Sequence, residues 1–151
     1  MNNLKRILSL ALASVMVIGM MVVGASAAEF VDGDDITHNA AVDTMTALGI
    51  IGGYAEDNSF RPDVKVTRAQ MAKMIAVALN GGKDPVAGLT TASPFVDVAV
   101  NHWAIDYITY CANLGIISGK DPTHFDPEGF VKANEAAKML LVAIGYDSDT
   151  F

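Results

Sequence analysis

The 151-residue chain contains an internal sequence repeat that occurs twice, and this duplication limits the folds it can adopt more than any other feature. The segment 30–79 returns as the segment 95–144, with an offset of 65 or 66 residues throughout. A fixed period is typical of repeat proteins, in which neighbouring units stack to bury apolar faces that no unit buries alone. The shared landmarks are FVD at 30 and 95, LGII at 48 and 114, FxP at 60 and 125, and AKM at 72 and 137.

Each copy contains two predicted helices joined by a glycine-containing loop. In the second helix of each copy, apolar residues recur at i, i+3, i+4, i+7 and i+8, which is the spacing of one helix face. Gly49 and Gly115 each follow a first helix, at the position where glycine commonly ends one. The sequence therefore predicts an all-α chain of tandem helix–loop–helix repeats. The predicted helices cover residues 37–48, 68–79, 102–114 and 133–144.

The N-terminal segment has the composition of a secretory signal peptide. Lys5 and Arg6 precede an uncharged, mostly apolar run of 18 residues, and Ala25-Ser26-Ala27 supplies a small-x-small cleavage pattern. An uncleaved membrane anchor is the alternative, since such a run could almost cross a bilayer. The predicted order is a signal peptide at 1–27, repeat 1 at 28–80, a linker at 81–94, repeat 2 at 95–146 and a tail at 147–151.

The acidic charge balance excludes one class of partner. Signal removal takes away Lys5 and Arg6, two of the ten basic residues, and leaves eight against seventeen acids. Because nucleic-acid phosphates and anionic lipids attract basic surfaces, we expect neither nucleic acid nor a membrane as a partner of the exported chain. The single cysteine, Cys111, excludes an internal disulfide, and its place on an apolar stripe predicts a buried thiol.

The start of the second helix in repeat 1 places a cation where helix electrostatics disfavours one. Thr67 and Gln70 predict a capping box, in which each side chain bonds the other residue's backbone N–H. Arg68 would then be the first helical residue, next to the positive end of the helix dipole. A bound anion would offset this cost. A surface ion pair with an acid such as Asp63, which contributes little, is the alternative.

Taken together, the motifs resemble those of the S-layer homology (SLH) domain family. The resemblance rests on FVDV, HW and GII in repeat 2, on FxP, and on VTRAQ at 66–70, where the family carries Thr-Arg-Ala-Glu. It implies tandem repeats packed as a pseudo-threefold bundle, incomplete here because two repeats are present where three are common. It also implies that the protein is secreted and anchored non-covalently to the cell wall or S-layer, by binding a secondary cell-wall polysaccharide that carries a pyruvate ketal.

The resemblance further implies which residues bind the polysaccharide. A solvent-facing Arg68 and the free N–H groups of its helix would hold the pyruvate carboxylate. Repeat 2 departs from the motif, because Ala133 stands in the place of the arginine and Lys132 supplies a charge without the bidentate fork. The stripe position of Trp103 favours core packing over stacking on a sugar. The implied ligand-binding residues are Thr67, Arg68, Asp32, Asp97, Trp103, Gly53, Gly119 and Lys132.

Catalytic and metal-binding functions fit the residues less well. The loops that begin at Asp32 and Asp121 both lack the oxygen ligand at position 5 and the glycine at position 6 of a calcium loop. His102 and Cys111 lie on opposite faces of their predicted helix, so they cannot act as base and nucleophile. We therefore expect no cofactor, no metal and no enzymatic activity in this chain.

A structural role in the envelope is the alternative to glycan binding. The missing third repeat and the altered motif at 132–135 favour repeats that pack with other protein copies, or with a third SLH repeat from another chain. Two-thirds of a three-repeat bundle leaves apolar surface open, and such a surface usually marks an interaction site. The predicted contact face carries Met71, Met74, Met139 and Leu140.

Overall fold

The computed structural model describes residues 29–85 and 92–147, and within these ranges the regular structure is helical. Two isolated bridges, Tyr54–Ser59 and Thr67–Phe130, are the extended pairing found there. The predicted all-α fold of tandem repeats is confirmed, whereas its pseudo-threefold closure stays a prediction. The helices are α1 (Asn39–Ala47), α2 (Arg68–Leu79), α3 (Ile105–Asn113) and α4 (Ala133–Ala143), and a 3-10 turn (Gly33–Asp35) precedes α1.

Part of the predicted organisation falls outside the described residues. This applies to the signal peptide at 1–27, to residues 86–91 of the linker and to residues 148–151 of the tail. Among the helices that are described, none combines the length and the apolar character needed to cross a membrane.

The helices begin and end close to their predicted limits. Gly49 and Gly115 have φ angles of +72° and +70°, as expected of glycines that end α1 and α3. The first helices begin later than predicted. In repeat 2 the Nδ1 atom of His102 accepts a 3.1 Å bond from the N–H of Ala104, which holds residues 102–104 in a turn before α3 starts.

The capping box at the start of α2 is confirmed. The N–H of Gln70 donates to Oγ1 of Thr67 at 3.2 Å, and the N–H of Thr67 donates to Oε1 of Gln70 at 2.9 Å. Arg68 is the first residue of the helix, as the pattern predicted.

The helices pair across the repeat boundary. The second helix of repeat 1, α2, packs most extensively on α3, the first helix of repeat 2, and less extensively on α4. Ala72, Ile75, Ile108 and Cys111 form part of the shared core, with exposures of 0 to 3%. Burying one side chain such as Ile108 contributes about 1.5–3 kcal/mol. Two repeats therefore build one core together, as expected of units that cannot bury their faces alone.

The predicted buried state of the cysteine is confirmed. Sγ of Cys111 contacts the carbonyl oxygen of Ala72 at 3.4 Å, and burial raises the pKa of Cys111 to about 12. The predicted contact face is mostly covered by the same core. Met71 and Met139 are buried and Met74 is half-buried, whereas Leu140 is exposed. The prediction of an open methionine face is therefore wrong, because packing between the repeats covers it.

One aspartate closes the long loop of each repeat. Its carboxylate accepts two backbone N–H groups from the FxP motif, which lies 28 and 29 residues further along the chain. These bonds lower the pKa of Asp32, with the N–H of Phe60 contributing most. Burial has the largest effect on Asp97 and raises its pKa, but the accepted N–H groups outweigh it. The bonds join Asp32 to Phe60 (2.7 Å) and Arg61 (2.7 Å), and Asp97 to Phe125 (2.8 Å) and Asp126 (2.7 Å).

Two glycines make these closed loops sterically possible. A Cβ atom on Gly53 would collide with the ring of Phe30, and a Cβ atom on Gly119 would collide with the carbonyl oxygen of Asp121. The phenylalanines of the motifs pack in pairs, with ring centroids 5.3 Å apart in both repeats. Gly53 and Gly119 are thus needed for the close approach of loop and ring.

Arg68 joins the two repeats from the start of α2. Its side chain is 3% exposed, and its guanidinium lies 4.5 Å from the ring centroid of Phe125. Nε donates to the carbonyl oxygen of Phe125 at 2.7 Å, and Nη2 donates to that of Ser118 at 2.8 Å. Burial lowers the pKa of Arg68, and Glu135, whose Oε2 lies 3.6 Å from Nη1, partly offsets this. The predicted solvent-facing arginine is therefore wrong, because the side chain turns into repeat 2.

The N–H groups predicted to be free at the start of α2 are also occupied. The N–H of Arg68 donates to the carbonyl oxygen of Gly129 at 2.9 Å, and that of Ala69 donates to the carbonyl oxygen of Pro127 at 3.0 Å. With the N–H of residue 70 capped by Thr67, the first three N–H groups of the helix have acceptors. Carbonyl oxygens and Glu135, all from repeat 2, thus stabilise a cation at this helix end.

We predict that Arg68→Ala destabilises the fold strongly. It removes two charge-assisted bonds and leaves two inter-repeat carbonyls without their donor, so we expect a loss of about 2–4 kcal/mol in the free energy of unfolding. Urea unfolding followed by circular dichroism measures this loss. Lys138→Ala, which removes an exposed cation of repeat 2, should stay within about 0.5 kcal/mol. A loss for Arg68→Ala no larger than that of Lys138→Ala would contradict the prediction.

We also predict that the stabilisation by Asp97 disappears in acid. A lowered pKa in the folded state stabilises the protein above the ordinary pKa of about 4, and this contribution is lost as the pH falls through the folded value. Asp97→Asn should therefore cost about 1–3 kcal/mol near neutral pH and progressively less below about pH 4. Thermal unfolding of both proteins across this range measures the difference. A gap that stays constant into acid would disprove the assignment, and Asp63→Asn, at an exposed site, is the control.

Candidate functional site

Two equivalent grooves lie on the surface, one in each repeat. Each is bounded by the LGII loop and by the second helix of its own repeat. Groove 1 has a volume of about 620 Å³ and groove 2 of about 430 Å³. Groove 1 is lined by residues 49–54, 60–62 and 64–66 with Gln70, Lys73, Met74 and Trp103. Groove 2 is lined by residues 115–120 with Arg68, Glu135, Lys138, Met139 and Val142.

The charges of groove 2 are largely neutralised within the protein. Glu135 accepts a bond from Nζ of Lys120 and lies 3.6 Å from the guanidinium of Arg68. Its pKa is lowered, mainly by Lys120 and by the N–H of Lys132, so the carboxylate is charged at neutral pH. Two of the three cations that line groove 2 are thus already engaged by one acid. Its remaining cation is Lys138.

Groove 1 is lined by three cations and by no acidic residue. Within the described part of the chain, Lys65 and Lys73 pair with no carboxylate. Arg61 is held by Asp57 at 2.9 Å and by Glu56 at 3.3 Å. Groove 2 is also lined by three cations, so the two linings differ in the acidic residue that only groove 2 contains. The position of Glu135 in groove 2 is occupied by the neutral Gln70 in groove 1.

An exposed tryptophan from repeat 2 lies at the edge of groove 1. Trp103 is 53% exposed, so the predicted core packing is wrong. Because α3 begins at Ile105, the helical stripe does not extend back to residue 103. The ring of Trp103 stacks on that of His102, with centroids 5.8 Å apart. His102 is itself held by Glu128 at 3.1 Å and by the Ala104 N–H, so the indole rests on a fixed neighbour.

The residues predicted to bind ligand divide between the two grooves and the framework. Gly53 and Trp103 line groove 1, while Arg68 and Gly119 line groove 2. The framework residues lie outside both linings. Thr67 caps α2, Asp32 and Asp97 close loops, and Lys132 is exposed at the start of α4.

Sequence reasoning missed the cations of groove 1. Lys73 belongs to the repeated AKM motif. The helical periodicity explained this motif as part of a helix and did not indicate a role for its lysine. The repeat was visible in the sequence, but it could not distinguish Lys73 from Lys138, its counterpart in the more neutralised groove. Lys65 and Arg61 have no equivalents in repeat 2, where Phe130 and Asp126 stand, so the duplication gave no signal for them.

The arrangement in groove 1 suits a ligand that combines negative charge with a ring face. Lysine ammonium groups attract a carboxylate, and an indole supplies a flat apolar surface with one polar edge. Gly52 and Gly53 line the same groove, and their N–H groups donate to no acceptor among the described residues. Across those residues, no cluster of histidine, cysteine and acidic side chains could hold a metal ion. Groove 1 thus offers positive charge and an exposed indole face for contact with an anionic, ring-containing molecule.

Comparison with known proteins finds the same family in both repeats. The family model of the S-layer homology domain matches residues 29–72 and 94–137. The chain is 33% identical over 150 residues to a cell surface protein of Thermoanaerobacter kivui, covering 97% of this chain and 19% of that protein. It is 32% identical over 115 residues to cell surface glycoprotein 1 of Acetivibrio thermocellus, covering 72% of this chain and 5% of that protein.

A third relative is matched along nearly the whole length of this chain. The surface-layer 125 kDa protein of Lysinibacillus sphaericus is 28% identical over 150 residues, covering 98% of this chain and 12% of that protein. The chain thus spans less than a fifth of the length of the curated relatives it matches. Two family matches that together cover more than half of the residues show that this chain belongs to the S-layer homology domain family.

Proposed function

We propose that this chain holds an exported protein on the bacterial cell wall by binding a secondary cell-wall polysaccharide without covalent chemistry. Its family membership, and the cell-surface and surface-layer proteins that resemble it, support this role and a location outside the cell. The role requires recognition and no catalysis. The ligand we propose is an anionic glycan with a pyruvate-ketal carboxylate.

The observation that carries this proposal is the composition of groove 1. Its lining has three cations, no acid and an exposed indole, on a chain that is otherwise strongly acidic. A carboxylate near Lys73 and a sugar ring against Trp103 would use these features together. Groove 2 offers less, because Glu135 already engages Arg68 and Lys120. We therefore assign the principal glycan site to groove 1.

The framework residues contribute to this site indirectly. Asp32 closes the loop that ends in Phe60 and Arg61, and Gly53 allows that loop to approach Phe30. These residues hold the wall of groove 1 in place. Their replacement should reduce binding through loss of structure, whereas replacement of Lys73 or Trp103 should reduce binding in a folded protein.

We predict that variants of groove 1 lose wall binding while they keep their stability. Lys73→Ala should weaken binding roughly ten- to hundredfold, since a charge-assisted contact contributes about 1.5–3 kcal/mol. Trp103→Ala should weaken it by roughly tenfold or more, as is common for an aromatic side chain at a binding hot spot. Lys138→Ala, the equivalent change in groove 2, is the matched control and should bind like the parent. Equal losses in both grooves would contradict the assignment to groove 1.

The glycan itself is tested by co-sedimentation with purified walls. The parent protein should sediment with intact walls and remain in solution when their polysaccharide has been removed chemically. Walls stripped of pyruvate ketals alone, with the polymer left in place, separate recognition of the carboxylate from recognition of the sugar. Equal binding to intact and polysaccharide-free walls would rule out the glycan as ligand.

A further inference from the structure

Within the described residues, one helix of each repeat lacks the packing partner that the equivalent helix of the other repeat has. Within the chain, α2 of repeat 1 packs on α3 of repeat 2. The duplication makes α4 the equivalent of α2 and α1 the equivalent of α3. In the described residues α4 has no following first helix, and α1 has no preceding second helix. The two helices make no extended contact with each other.

The outer face of α4 is the equivalent of a face that is fully covered on α2. Ala72, Ile75 and Ala76 of α2 are 0, 3 and 0% exposed because α3 packs on them. Their counterparts on α4 are Ala137, Leu140 and Leu141. Ala137 is exposed, Leu140 is 51% exposed and Leu141 is half-buried. Ile144, one turn beyond Leu140, is 73% exposed and extends this apolar face.

The outer face of α1 is the equivalent of the surface that covers α2. On α3 this surface is built by Ala104, Tyr107 and Cys111, all of them buried. Their counterparts at α1 are His38 and Ala41, which are exposed, and Met45, which is half-buried. One end of the molecule therefore presents a small and mostly apolar helix face, and the other end presents the face that would pack on it.

The backbone polar groups at the two ends are complementary as well. At the start of α2, two N–H groups donate to the carbonyl oxygens of Gly129 and Pro127. The corresponding N–H groups of Ala133 and Asn134 at the start of α4 have no acceptor among the described residues. The carbonyl oxygens of Val64 and Pro62, which correspond to those of Gly129 and Pro127, likewise have no donor there.

The charges indicate which partner fits these ends. Inside the chain the buried Arg68 is compensated by Glu135, Asp126 and Asp97. The equivalents in repeat 1 are Gln70, Arg61 and Asp32, so an arginine entering there would meet one acid in place of three, together with a cation. A buried cation without its acid is strongly unfavourable. The start of α4 carries Ala133 in the position of Arg68, so a second copy of this chain brings no arginine into that position.

From this complementarity we infer that the protein assembles head to tail, with α4 of one copy packed on α1 of the next. The N–H of Ala133 donates to the carbonyl oxygen of Val64 in the neighbouring copy, and that of Asn134 donates to the carbonyl oxygen of Pro62. This contact is heterologous, so each added copy leaves one free end of each kind, and the assembly grows until it closes into a ring. Because Ala133 has no long side chain, the contact places no second guanidinium in groove 1, although it adjoins Pro62 and Val64 of its lining.

Sedimentation velocity on the exported protein, without cell wall, tests this inference independently of glycan binding. The average mass of the parent should rise with concentration. Leu140→Lys on α4 and Ala41→Glu on α1 should each weaken association roughly tenfold or more, because each places a charge on one contact face. Ala55→Glu, a charge added in an exposed loop of repeat 1, is the control and should assemble like the parent.

Mixing the two contact variants distinguishes head-to-tail association from symmetric pairing. The mixture retains one intact contact, between α4 of the Ala41→Glu protein and α1 of the Leu140→Lys protein. It should therefore form dimers that do not grow further. A parent protein that stays monomeric up to millimolar concentration overturns the inference, as does an Ala41→Glu protein that assembles like the parent.

Sedimentation velocity also tests whether an arginine at position 133 needs an acid in the neighbouring copy. Ala133→Arg alone should weaken assembly, because the arginine would enter a position without its acids. Adding Gln70→Glu to Ala133→Arg recreates the internal pair between copies and should restore assembly at least to the level of the parent. If Ala133→Arg alone strengthened assembly, an arginine would be favourable at this position of the contact. A repeat that carries arginine there would then be the better partner, and the choice of a second copy of this chain would be wrong.

Discussion

A single buried guanidinium at the boundary between the repeats organises this structure. Arg68 lies at the positive end of its own helix dipole and is almost completely removed from water, two conditions that disfavour a cation. Repeat 2 compensates both by supplying two carbonyl oxygens, an aromatic face and the carboxylate of Glu135. The burial of this charge is therefore compensated only while the two repeats remain together. The position of repeat 2 on repeat 1 follows from this requirement.

The helices that pack most closely in the fold are consequently not the two helices of one sequence repeat. The repeat in the sequence runs from one FVD motif to the next, whereas the densest packing joins α2 of one repeat to α3 of the other. Within each repeat the long loop is closed locally, by one aspartate and a pair of phenylalanine rings. Local closure shapes the two grooves, and the contact across the boundary sets their different charges.

Substitutions within the duplicated framework give the two grooves different charges. In groove 2, Glu135 pairs with Arg68 from the preceding repeat, so these two charges stabilise the contact between the repeats. In groove 1 the position equivalent to Glu135 is Gln70, and no arginine from another repeat lines the groove. Its lysines have no carboxylate partner among the described residues. The same backbone therefore supports a packing site in one repeat and an anion-attracting surface in the other.

The duplication and the helical periodicity were sufficient to predict the all-α fold, the extent of α2, the capping box at Thr67 and Gln70, and the burial of Cys111. These features depend on residues close together in the chain, whose spacing the sequence displays directly. The same local reasoning predicted a solvent-facing Arg68 and a buried Trp103, and the structure reverses both. Whether a helix-terminal arginine points to solvent depends on the carbonyl oxygens within its reach, and those of Ser118 and Phe125 lie 50 and 57 residues away. The sequence by itself thus determined which segments are helical and how they are capped. Tertiary structure decided which charges are buried or paired and which stay exposed, because burial and ion pairing arise from contacts between residues that are distant in the chain.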